Sequence, residues 1–170
     1  SMPAASCLPD TADCGLTEIE TEAIEMFIGF FKLIGLPKSV GEIYGLLFVS
    51  REPLAMDRIM AKLGLSLGAA SQGLKVLRSV GAVKPVYVPG ARKDHYAADL
   101  ELSRFATGFI KEELQPRITQ SKERIARMRE LSEEMDDEEK ESTEMRLQRL
   151  QHWLNRADKV LPWILRFLVR

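Results

Sequence analysis

Apolar residues recur along this chain in the three-four rhythm of helix faces, interrupted once by a short alternating run. Leu16, Ile19, Ala23, Phe27, Phe30 and Ile34 share one face of a helix predicted over 16–36. Ile24, Ile28 and Phe31 widen that face, and Gly35 and Pro37 end the helix. Ser39 begins a second helix, with Glu42 at the capping-box position and Ile43, Leu46 and Leu47 turned inward. The stretch "REPLAM" reads as a break. Met56 to Leu63 is a short third helix closed by Gly64, and Ser66 caps a fourth helix that ends before Gly81. Val83 to Val88 then alternates and is rich in β-branched residues. Pro89-Gly90 turns the chain, and Asp94 to Ala98 returns as a second strand.

The C-terminal part is helical throughout. Leu102, Phe105, Phe109 and Ile110 form a stripe that continues past Pro116 to Ile125, Met128 and Leu131, with a kink or break expected at the proline. After the acidic run "DDEEKES", Leu147, Leu150, Leu154, Ala157, Leu161, Ile164 and Leu168 follow one another in steps of three and four, a heptad seam. Trp153, Val160 and Phe167 add a second apolar flank. One helix with two apolar flanks needs more than one neighbour, and a partner subunit is the natural source. A single-chain bundle is an alternative. A membrane-surface helix is another, given Arg156, Lys159, Arg166 and Arg170. Pro162 interrupts the seam, so a bend or a short terminal helix is expected.

Two helices joined by the tight "LGLS" turn make a helix-turn-helix, and the hairpin after them makes it a winged helix. The predicted fold class is therefore mainly α: a winged helix-turn-helix domain with a two-stranded β wing and long N- and C-terminal dimerisation helices. The expected division is a lead over 1–15, an N-terminal helix over 16–36 that contributes to a dimer interface, the winged helix-turn-helix over 37–100, and a helical dimerisation region over 101–170.

The fourth helix is oddly made. Gly68, Ala69, Ala70, Ser71 and Gly73 crowd its first two turns, although each glycine weakens a helix interior by roughly 1 kcal/mol relative to alanine. With Ala70, Leu74 and Leu77 facing inward, Gly68, Gln72, Lys75 and Ser79 fall on the outer face, with Ser71 at its edge. Small residues let such an end enter a major groove, where Gln72 and Lys75 reach base edges or phosphates. Val76, on the shoulder of that face, reads as packing on the third helix. Arg92 and Lys93 sit on the protruding hairpin tip, where an arginine can enter a narrow minor groove. The alternative is a solvated hairpin end.

Charge supports that picture only when it is resolved along the chain. The 170 residues sum to −1, which argues against a nucleic-acid partner. Yet residues 36–98 carry nine bases against four acids, while 1–35 and 133–144 are strongly acidic. Apolar residues at 45% and charged residues at 29% are an ordinary soluble balance. The longest apolar stretch, Met26 to Leu36, is interrupted by Lys32 and too short to cross a bilayer. The N-terminal residues lack a basic n-region and an apolar h-region, so export is not expected and a cytoplasmic setting is. There Cys7 and Cys14 stay reduced, a redox pair being the alternative.

Catalysis has no visible carrier. There is no Ser-His-acid set, phosphate loop or metal constellation, and His95 and His152 are the only histidines. No cofactor is expected. Phe27, Phe30, Phe31, Phe105 and Phe109 are a candidate cleft for a small apolar or cationic effector, with plain core packing as the alternative. A winged helix used only as a protein-protein adaptor is the rival function. It would show an apolar fourth helix and a wing poor in bases.

The segment "SVGEIYGLLFVSREPLAMDRIMAKLGLSLGAASQGLKVLRSVGAVKPVYVPGARKDHYAAD" resembles the winged-helix domain of MarR-type regulators, most of all the GbsR-like branch. The resemblance is carried by "IYGLL" with "EPL" soon after, by "LGLSLGAASQGLKVL", and by the wing "VPGARKDHY". It implies a dimeric regulator that binds double-stranded DNA, commonly as a repressor, with Ser71, Gln72 and Lys75 on the recognition helix and Arg92 on the wing. Many wings of this type carry an aspartate two residues before the arginine. Here that place is Gly90, and Asp94 follows Arg92 instead.

Overall fold

A computed structural model describes residues 15–169. The lead over 1–14, with Cys7 and Cys14, and Arg170 lie outside the described residues. The chain divides into two compact units, with the boundary after Leu102.

The first unit begins with α1 (Glu18–Leu33), whose N-cap Thr17 accepts a hydrogen bond from the Glu20 amide at 3.2 Å. Gly35, at φ +77°, reverses the chain after it. The inward face is narrower than the sequence pattern suggests. Ile24, Phe27 and Phe31 are buried, whereas Ile19 and Phe30 are exposed together with Met26 and Leu33. The reason lies in α2 (Lys38–Val49), which packs directly on α1. A Cβ at Gly41 would lie 2.7 Å from the Ile28 Cα, and one at Gly45 would lie 2.7 Å from the Ile24 Cα. The backbones touch, and the residues at the contact are those that face α2.

Helix α2 is not started by a capping box. Its N-cap is Pro37, with no side-chain cap, and Ser39 lies inside the helix. The proline ring already fixes the extended φ that the N-cap requires. Glu42 instead stands near Glu25 and Lys38; burial and Glu25 raise its pKa against the opposing pull of Lys38.

Helices α3 (Met56–Leu63) and α4 (Leu67–Ser79) have the expected bounds. Gly64 takes the left-handed conformation between them at φ +65°, and the Ser66 hydroxyl accepts from the Ala69 amide at 3.2 Å. The sheet has three strands rather than two. β1 (Leu54–Ala55) falls within the stretch expected to be a break and pairs antiparallel with β3 (His95–Ala98), which also pairs with β2 (Val83–Val86). Two residues are too few to show a period, so β1 left no trace in the pattern. The core joins Val40, Ile43, Leu46, Ile59, Ala70, Leu77 and Tyr96.

The second unit contains α5 (Leu102–Phe109), a π-helical turn over Ile110–Leu114, α6 (Gln115–Ser132) and α7 (Asp137–Val169). The π turn takes the place of the kink expected at Pro116, whose missing N–H cannot complete a normal helical turn. Helices α6 and α7 pack together. Ion pairs Lys122–Asp158, Arg129–Glu144 and Lys140–Glu133 tie them along their length. Pro162 does not set off a separate terminal helix; α7 runs through it to Val169. Leu161, its neighbour, is buried with Ile110 and Ile118, and that packing offsets the lost hydrogen bond.

Candidate nucleic-acid interface

The two faces of α4 separate cleanly. Ala70, Gly73, Leu74 and Leu77 are buried, while Gly68, Ser71, Gln72, Lys75, Arg78 and Ser79 are exposed. Val76 is half-buried. The two glycines have different reasons. A Cβ at Gly68 would meet nothing within 4 Å, so the front of the helix is bare toward its surroundings. A Cβ at Gly73 would come 2.6 Å from Ile43 Cδ1, so that glycine lets α4 settle on α2. Part of the small-residue run therefore serves internal packing.

Beside α4 lies an open groove of about 520 Å³ lined by Met56, Ser71, Leu74, Lys75, Arg78, Ser79 and Tyr96. Arg78 was not singled out in the sequence. The same 100° rotation that places Ser71 and Lys75 at this edge also reaches it. Among the described residues, Lys75, Arg78 and Arg92 form no ion pair. The Ser79 hydroxyl donates to the Val76 carbonyl at 2.7 Å and so belongs partly to its own helix.

At the wing tip the Ala91 amide donates to the Val88 carbonyl at 3.1 Å, with Pro89 and Gly90 as the central pair. Gly90 has φ +81°, which makes the turn type II and suits glycine there. Arg92, Lys93 and Asp94 follow, all exposed. Lys93 is engaged: its ammonium donates to Asp57 Oδ2 at 2.6 Å, and its carbonyl accepts from His95 Nδ1 at 3.0 Å. The Lys93 hydrogen bond is the main reason that the Asp57 carboxyl sits below the usual carboxylate range.

The five aromatic residues do not line one cleft within a unit. Phe27 and Phe31 stack in the core of the first unit with Tyr44 and Phe48, and Phe30 is exposed. In the second unit Phe105 is buried and Phe109 half-buried. Five members of the heptad seam also pack within the chain. Leu147 and Leu161 are buried, while Leu154, Ala157 and Leu168 are partly buried against Ile110, Ile118 and Leu161. Leu150 and Ile164 are exposed, beside Trp153, Val160, Trp163 and Phe167.

Among the described residues no three or more His, Cys, Asp or Glu side chains gather in a way that could hold a metal ion. Among the same residues no helix is long and apolar enough to cross a membrane.

Residues 15–102 thus have the element order of a helix-turn-helix domain followed by a hairpin, on a three-stranded antiparallel sheet. A crystal structure of a transcriptional regulator shares the fold, with a TM-score of 0.55 at 18% identity over 89% of this chain and 99% of that one. No family model matches the chain. Among curated proteins it is similar to the HTH-type transcriptional repressor GbsR of Bacillus subtilis (strain 168), 31% identical over 78 residues. That alignment covers 46% of this chain and 43% of GbsR. The HTH-type transcriptional repressor OpcR of the same organism is 25% identical over 97 residues, 54% of this chain and 52% of OpcR. YvaV, whose name carries the same HTH type, aligns at 22% identity over 82% of each chain. The chain thus spans about half the length of GbsR and OpcR, and its likeness is to HTH-type transcriptional regulators as a class.

Proposed function

We propose that the protein is a sequence-specific DNA-binding transcriptional regulator of the MarR type, in its GbsR-like branch, acting as a homodimeric repressor in the cytoplasm. The observation that carries this reading is the outer face of α4. It is bare at Gly68, polar at Ser71 and Gln72, and basic at Lys75 and Arg78, all exposed beside an open groove. An adaptor surface of the same shape would be apolar there.

In this reading α4 enters the major groove. Its N-terminal amides favour a phosphate, Gln72 and Lys75 reach base edges, and Arg92 enters the flanking minor groove. Ser79 completes the contact surface, and Lys93 stands beside it on the wing tip, paired with Asp57. A twofold dimer sets two such helices on half-sites about one DNA turn apart, so the operator is near-palindromic. The exposed outer side of α1 and the free flank of α7 each contribute to dimerisation, and a small-molecule effector that alters the dimer changes the spacing of the two heads.

Titration of labelled genomic fragments at several salt concentrations tests the reading. Binding that weakens steeply with salt and selects particular fragments is expected. Binding at the noise level at low salt would leave the adaptor function in its place. Arg92→Ala is expected to weaken binding on most sequences and to reduce the salt slope by about one if the guanidinium meets a phosphate.

A further inference from the structure

The Asp57–Lys93 pair stands out because packing does not explain it: the two side chains are 62% and 68% exposed. Strand register does explain it. Ala55 pairs with His95, and Asp57 in the first turn of α3 and Lys93 in the loop before β3 each lie two residues beyond that pair. They face each other where the ladder would continue had α3 not begun. The Arg58 amide donates to Asp57 Oδ1 at 2.9 Å, which fixes the carboxylate end of the bridge to the backbone, and His95 Nδ1 donates to the Lys93 carbonyl at 3.0 Å. Met56, next to Asp57, lines the groove beside α4. A carboxylate at this place, like that of the exposed Asp94 on the wing tip, opposes any phosphate that approaches the wing.

We propose that Asp57 is a positioning residue for the wing, which sets the hairpin tip against the start of α3 through Lys93 and withholds that ammonium from phosphates. The inference rests on the DNA-binding reading above. An exposed pair of this kind is weak, worth about 0–1 kcal/mol. It biases the wing rather than locking it. Because phosphates are alike in every sequence, withholding a cation lowers affinity uniformly and leaves a larger share of it to base contacts. Asp57 thus lowers affinity for every duplex alike and leaves the ratio between sequences unchanged.

The test uses the full chain as wild type, D57N, K93Q and the double variant. Each is titrated with a labelled random-sequence duplex across a salt series, and wing amide exchange over 91–94 is followed without DNA. D57N is expected to bind the random duplex more tightly, with a salt slope steeper by about one, the increment of one added phosphate contact. K93Q alone is expected to keep the wild-type slope, since its ammonium is already occupied. The double variant is expected to return to that slope, and wing exchange to quicken in D57N and K93Q alike. A wild type that binds while D57N shows the same slope overturns the proposal alone. Unchanged wing exchange overturns the positioning role. A wild type that binds no duplex at low salt overturns the DNA-binding reading, and the proposal with it.

Discussion

Tyr44 shows how much one side chain can hold. Its ring is fully buried among Phe27, Phe31 and Phe48, and its hydroxyl donates to the Asp99 carbonyl at 2.8 Å. Burial, with Asp99 adding to it, pushes the phenol pKa up to about 12 from 10.0. The phenol is neutral in both folded and unfolded chains below about 10, so its contribution to stability is complete there. Between about 10 and 12 the unfolded chain ionises first, and stability declines. Denaturant unfolding from neutral pH to about 12 is therefore expected to show a steeper alkaline loss in the wild type than in Tyr44→Phe. Equal losses would mean that the folded state does not hold the phenol neutral. The phenylalanine variant also loses a partly buried hydrogen bond, at a cost of about 1 kcal/mol at neutral pH.

Among elements, α1 and α3 are joined by the mostly buried pair Glu20–Lys62, 2.8 Å apart. Removing one partner strands the other charge away from water, so Lys62→Ala is expected to destabilise the first unit by about 3 kcal/mol in equilibrium unfolding. A loss well under 1 kcal/mol would show that water reaches Glu20. The sequence exposed some elements and hid others for physical reasons. Gly64 and Ser66 announce the turn between α3 and α4 because left-handed glycine and an N-cap serine each have a local signature. Two-residue β1 has none. The outer side of α1 is not legible in the pattern, because its exposed Ile19 and Phe30 obey the same period as its buried residues. The outer face of α4 was legible because Ala70, Leu74 and Leu77 fix the helix rotation. The Asp57–Lys93 pair was not, since its partners are 36 residues apart and meet only through the register of β1 on β3.

For the whole molecule, the unfinished surfaces are the informative ones. On α7, Trp153, Val160, Trp163 and Phe167 are exposed at heptad-like spacing, and Arg156 and Arg166 each lie 5.4 Å from a tryptophan ring. Contiguous apolar surface of this kind marks an interaction site. Replacing both Trp163 and Phe167 with serine is expected to shift sedimentation from dimer to monomer while leaving helicity unchanged. A variant that stays dimeric would move the interface away from α7.

The direct meeting of α1 and α2 at Gly41 and Gly45 leaves no α2 side chain between the two backbones at those points. There the joint has no α2 rotamer that could change to absorb a shift. From α2 the Tyr44 hydroxyl reaches the Asp99 carbonyl, just past the strand that carries the wing.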